Sequence, residues 1–164
     1  MRRFVVGVMG AGEGATESDK QMAFQLGEEI AHAGWVLLSG GRAVGVMQEV
    51  NRGAKQIAGS LTIGILPDAK CRVSEFVDVQ IVTDMGNARN NINVLTSDVV
   101  VACGTGGAGT VSEIALAIKA GKPVILLVCE ESAGTFFQGL KAQQLFFAET
   151  PARVIEIIRN QICH

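Results

Sequence analysis

Histidine is nearly missing from this chain, whose 164 residues include only His32 and His164. Its four cysteines, Cys71, Cys103, Cys129 and Cys163, lie far apart, and none forms a C-x-x-C pair. Without clustered nitrogen and sulfur ligands, a dedicated protein-ligated metal is not expected. Hydrophobic residues make up 48% of the sequence, enough core to do without a disulfide framework, so the thiols point to a reducing cytoplasm. No serine–histidine or cysteine–histidine arrangement for nucleophilic catalysis is visible: His32 reads as a helix-end surface residue and His164 is terminal. Charge of one sign is also missing. The 14 basic and 16 acidic residues leave a formal net charge of −2, which argues against a general grip on nucleic acid or anionic membrane. Any anion must be held locally, by a few arginines and backbone N–H groups. No apolar run reaches membrane-spanning length, and the longest, VILLVC (Val124–Cys129), suits a buried strand. The opening MRRFVVGVMGAG runs quickly into glycines, which favours a core strand over a signal peptide. Linkers, repeats and low-complexity segments are absent, so a single domain over residues 1–164 is expected.

What is present alternates between strand-like and helix-like segments. Arg3–Met9 is apolar and β-branched, as a strand buried on both faces should be. Ser18 with Gln21 three residues later reads as a capping box for a helix that stops at Gly34. Strands are expected at Trp35–Ser39, Leu61–Leu66, Val79–Val82, Asp98–Ala102, Val124–Cys129 and in QLFFAE. Helices are expected over Val46–Ala58, Asn87–Ser97 and Thr110–Ala120. A last helix should be capped by Thr150, with Pro151 at its first position. Residues 68–78 are the least regular. Such alternation with short connections implies a Rossmann-like α/β domain: a mostly parallel, doubly wound sheet with helices on both faces. Ligands then belong at the carboxyl ends of the strands.

Three strand-to-helix loops are rich in glycine. MGAGEG carries Gly10 and Gly12; SGGRAVG carries Gly40, Gly41, Arg42 and Gly45; CGTGGAGT runs through Gly104, Thr105, Gly106, Gly107, Ala108, Gly109 and Thr110. Each precedes a helix N-terminus with unpaired N–H donors, so their convergence would make a pocket for phosphate or another oxyanion. Read literally, Gly104, Gly106 and Gly109 spell the dinucleotide fingerprint G-x-G-x-x-G, and Glu130 and Glu131 follow the next strand. That fingerprint belongs to the first β-α turn, however, and the loop after Arg3–Met9 lacks its spacing. The chain also leaves no room for a separate substrate domain. Arg42 and Arg89 are candidate anion ligands, each of which could equally be a solvated arginine. Glu113, one turn into its helix, reads by default as a complement to the helix dipole. Beside Arg89 it would instead suit water activation and charge stabilisation.

These segments together resemble the LOG-type, lysine-decarboxylase-like Rossmann family. Thr105-Gly106-Gly107-Ala108-Gly109-Thr110-Val111-Ser112-Glu113 matches all of the family motif P-G-G-x-G-T-x-x-E except its proline. GGRAVGVM resembles the family's G-G-G-x-x-G-L-M loop, and GILP (Gly64–Pro67) resembles its third strand end. The resemblance covers essentially the whole chain. It implies two alternatives. Enzymatic members are nucleoside 5′-monophosphate phosphoribohydrolases that release free base and ribose 5-phosphate; there Arg89 and Glu113 would be catalytic. Those members carry Met-x-x-Arg-Lys before the fifth strand, whereas here Met85 and Arg89 are spaced one residue further apart and Asn90 replaces the lysine. The combination MGAGEG, GGRAVGVMQEV, MGNARNNINVL and GTGGAGT is more similar to a shorter branch, the molybdenum cofactor carriers. That likeness implies a bound anionic molybdopterin, held by the glycine loops with Met85, Arg42, Arg89 and Glu113. It also implies a homodimer or homotetramer, with molybdoenzymes or cofactor-biosynthesis proteins as partners.

Overall fold

The computed structural model describes residues 2–140 and 142–163; His164 lies outside the described residues. The strands are β1 (Val5–Gly10), β2 (Val36–Ser39), β3 (Leu61–Leu66), β4 (Val79–Val82), β5 (Val99–Cys103), β6 (Val124–Leu127) and β7 (Leu145–Ala148). They form one parallel sheet in the order β4-β3-β2-β1-β5-β6-β7. The helices are α1 (Glu17–His32), α2 (Gly45–Ala54), α3 (Arg89–Thr96), α4 (Ala108–Lys119), α5 (Glu131–Gly139) and α6 (Pro151–Ile157). This is the expected Rossmann-like α/β fold.

The strand alternation of period two sorts the core into two layers. Val6 and Val8 of β1 face Leu26 and Ile30 of α1, Val50 of α2 and Val154 of α6. Val5 and Met9 face the other way, toward Val94 of α3, Ile114 and Ala117 of α4 and Phe137 of α5. Burial of each such aliphatic side chain contributes about 1.5–3 kcal/mol, so central strands apolar on both faces are what the sheet requires.

The order of the sheet positions the site. From β1 the chain winds outward through β2, β3 and β4, then returns to lay β5 on the opposite side of β1. The connections after β1 and β5 therefore leave the sheet toward opposite faces, and a crevice opens between them.

Several local expectations are corrected. The capping box of α1 is Thr16 with Asp19, not Ser18 with Gln21: the Asp19 N–H donates to Thr16 Oγ1 and the Asp19 carboxylate accepts from the Thr16 N–H. Helix α2 ends at Ala54, short of Ala58, because the chain turns there and Lys55 reaches back to the Ser60 carbonyl and Asp78. The segment Asn87–Ser97 opens as a 3-10 turn over Gly86–Ala88 before α3 begins. Helix α5 was not anticipated; its serine, glycine and threonine obscure the period, and Phe137 supplies its buried anchor. Thr150 and Pro151 do open α6, with the Arg153 N–H donating to Thr150 Oγ1. The irregular stretch 68–78 is fastened to the second glycine loop by an antiparallel bridge between Arg42 and Val73, the Ala43 N–H to the Arg72 carbonyl and the Ser74 N–H to the Gly41 carbonyl.

Candidate functional site

At the crevice lies a cavity of ≈ 190 Å³, walled by all three glycine loops and by α3 and α4. Of the residues singled out from the sequence, Gly10, Gly12, Gly40, Arg42, Arg89, Gly106, Gly107, Gly109, Thr110 and Glu113 line it. Gly41, Gly45, Gly104, Thr105, Ala108 and Met85 do not. Met85 is exposed on the turn before α3, and Ala108 borders a shallower groove between α3 and α4. Val8, Met9, Ala11, Met47, Asn87 and Asn90 complete the wall.

The glycines divide into two kinds. A Cβ on Gly10 would meet Val46 at 2.5 Å, and one on Gly40 would meet an Arg89 guanidinium nitrogen at 2.5 Å. Gly41 presses on the Cα of Gly64, and Gly104 on the Asp19 carboxylate. Gly45 has φ +54, and a Cβ there would run into the carbonyls of Ala11 and Gly12. These glycines let the first two loops pack against each other and against their surroundings. Gly107 and Gly109 are different: a Cβ on either meets nothing within 4 Å, and one on Gly106 meets only the Ala11 Cβ at 3.7 Å. The packing does not need Gly106 or Gly109 small, whereas Gly107, with φ +118, is required by its backbone conformation. Glycine there leaves room at the mouth of α4.

Thr16 caps α1 and Thr150 caps α6 with their side chains. Among the described residues the helices that border the cavity, α2, α3 and α4, have no capping side chain, and neither does α5. Gly107, at the N-cap of α4, has φ 118, a conformation glycine alone adopts readily. The first N–H groups of α4 are thus unclaimed by a capping side chain, and the helix brings about half a positive charge to that end.

Two arginines add full charges. Arg42 stands in the second loop, and the Arg89 guanidinium lies against Gly40, with its buried Nε unpaired among the described residues. Burial pulls the Arg89 pKa below its usual value and the Arg42 charge acts in the same sense, while Glu113 and Cys71 oppose them. Glu113 is only 6% exposed. Burial lifts its pKa above the ordinary carboxylate value, against a hydrogen bond from Asn93 and the charge of Arg89. Asn93 Nδ2 donates to Glu113 Oε1 at 2.8 Å, and Asn93 is itself completely buried. Arg89 therefore does act on Glu113 across the cavity, although no direct ion pair joins them among the described residues. Asn90, at the family's lysine position, donates to Ser112 Oγ at 2.9 Å and ties α3 to α4. Asn93 escaped the sequence reading. Its signal was present in the run of asparagines through α3, residues that are poor choices for a helix interior unless something binds them.

Fold and cavity together define a Rossmann-like α/β protein with its pocket at the topological switch point of the sheet. The chain belongs to the SLOG cluster4 family, whose model matches residues 3–155. It is similar to the molybdenum cofactor binding protein of the phototrophic bacterium Rippkaea orientalis, with 54% identity, 97% of each chain covered and a TM-score of 0.92. The molybdenum cofactor carrier protein of Chlamydomonas reinhardtii is 47% identical over 96% of this chain and 97% of its own, with a TM-score of 0.89. A protein of Archaeoglobus fulgidus without an assigned function is 46% identical over 127 residues, 77% of this chain and 82% of that one. The resemblance to the LOG-like superfamily, and within it to the carrier branch, is thus met by both sequence and structure. Among the described residues no helix is long and apolar enough to cross a membrane.

Proposed function

We propose that this protein binds the molybdenum cofactor and protects or transfers it. The observation that carries the reading is identity of 54% across 97% of a chain whose structural relative is a molybdenum cofactor binding protein. The donor set fits such a ligand. The open N-terminus of α4 at Gly106, Gly107 and Gly109, with Arg42 and Arg89, would hold the phosphate and neighbouring anionic oxygens. When bound, the cofactor supplies a molybdenum centre already ligated by its own dithiolene sulfurs. Nothing further is asked of the protein's side chains as metal ligands, and no metal-binding cluster of His, Cys, Asp or Glu occurs among the described residues. The work left to the chain is to neutralise the anion and exclude water and oxygen.

Purified protein mixed with released cofactor, then desalted, should retain molybdenum and pterin in fixed proportion to protein by mass spectrometry and fluorescence. Failure to retain either, with circular dichroism unchanged, would overturn the reading. The phosphoribohydrolase alternative draws on one observation, that Arg89 and Glu113 share a cavity wall. Release of base from AMP or an N6-modified AMP, abolished in Glu113→Gln, would put that alternative first. A homodimer or homotetramer in the cytoplasm is part of the proposal, with delivery to molybdoenzymes or receipt from cofactor-biosynthesis proteins. The exposed Leu95 on α3 and Val111 on α4 support self-association, which light scattering would measure.

A further inference from the structure

A buried carboxylate is a poor companion for an anion, yet Glu113 lines the pocket proposed to hold one. Its surroundings restrict what it can do. Oε1 already accepts from Asn93 Nδ2 at 2.8 Å, and Asn93 is fully buried. Oε2 takes no hydrogen bond among the described residues. The charged group that acts on the carboxyl is Arg89 from α3, while Arg42, from the loop after β2, lines the same cavity and acts on Arg89; among the described residues neither forms an ion pair with Glu113. From beneath, β1 presents Val8, Met9 and Gly10 to the cavity, none of them charged. An anionic oxygen that comes within hydrogen-bond distance of Oε2 therefore meets a second acceptor, and a hydrogen must lie between the two.

We propose that Glu113 makes anion binding in this pocket proton-coupled: the pocket accepts an anion that brings a hydrogen to Oε2, or else Glu113 takes up a proton as the anion enters. The inference rests on the carrier reading and deepens it. Glu113 becomes a specificity-determining residue. It favours a protonated phosphate, such as a phosphate monoester in its monoanionic form, over fully deprotonated oxyanions. Burial, which raises the affinity of Glu113 for a proton, acts in the same direction. The load a carrier holds would then loosen as pH rises.

Sulfate and inorganic phosphate separate the two routes, since sulfate has no proton to offer while phosphate keeps one up to strongly alkaline pH. The full chain would be titrated calorimetrically with each anion from about pH 5 to 9, in buffers of different ionisation heat. For sulfate, proton uptake should increase with pH as Glu113 ionises in the free protein, toward one per anion bound. Affinity should fall tenfold for each pH unit once uptake is complete. Phosphate should keep its affinity at the alkaline end without uptake by the protein. In Glu113→Gln, whose amide can donate, sulfate should bind without uptake and with no pH slope. The proton count in the unaltered protein does not depend on that variant folding. Sulfate binding that is flat in pH and free of proton uptake would overturn the inference, as would failure of both anions to bind. Coupled sulfate binding without cofactor retention would sink the carrier reading alone; cofactor retention with uncoupled sulfate binding would sink this inference alone.

Discussion

Replacing Gly109 by alanine should raise stability and weaken ligand binding in the same molecule. Gly109 is in the first turn of α4, and a Cβ there meets nothing within 4 Å. Relieving a helical glycine of its backbone entropy stabilises by about 0.5–1 kcal/mol. For a domain of this size that is a rise in Tm of about 1–4 °C. The new methyl group would occupy the side of the cavity where a bound oxygen approaches the N–H groups of α4. Losing one charge-assisted hydrogen bond costs about 1.5–3 kcal/mol, or an affinity loss of about 10- to 150-fold. Gly45→Ala is the opposite control. Its φ of +54 costs an L-residue about 1–2 kcal/mol, and overlap with the carbonyls of Ala11 and Gly12 adds about 1–3 kcal/mol. Thermal melts followed by calorimetric titration with inorganic phosphate measure both quantities. Gly109→Ala that loses stability, or that binds phosphate as well as the unaltered protein, would refute the division of the glycines into packing and ligand positions.

Arg89→Lys should weaken phosphate binding by about tenfold or more in the same titration, because a lysine cannot reproduce the fork that lies over Gly40. Burial pushes the Cys103 thiol up to about 12, so in the native state it should resist alkylation at pH 8 while the partly exposed Cys71 reacts, as read by mass spectrometry. Burial raises the pKa of Asp78, but Lys55 and the Thr62 N–H and hydroxyl outweigh it and the net value is lowered. Its stabilising effect is therefore complete above the ordinary carboxylate pKa and is lost as pH falls through the folded value. The stability advantage over Asp78→Asn should accordingly narrow below about pH 3.9 in urea titrations.

Much of the architecture was legible in the chain because its signals are local. The β-branched runs of β1, β3 and β5, Thr150 with Pro151, and the glycines after three strands need no distant partner to be read. The failures are also physical. Ser18 and Gln21 fit a capping box as well as Thr16 and Asp19 do, and only the path of the loop after β1 chooses between them. Helix α5 is held by Phe137 in the core, a tertiary contact that outweighs a weak local pattern. Asn90 looked like a lost cation; its bond to Ser112 gives it a structural task between two helices.

By itself the sequence determined the alternation of elements, the parallel sheet and the list of groups able to meet an anion, since each depends on neighbours a few residues apart. Only the tertiary structure decided which glycines are small for packing and which leave room for a ligand. A Cβ clash is a matter of distances between segments far apart in the chain, such as Gly45 against Ala11 and Gly12. It also decided the state of Glu113, which spacing alone assigned to the helix dipole. Burial between α3 and the sheet, with Asn93 on one oxygen and Arg89 across the cavity, turns that residue from a surface charge into a group whose proton matters.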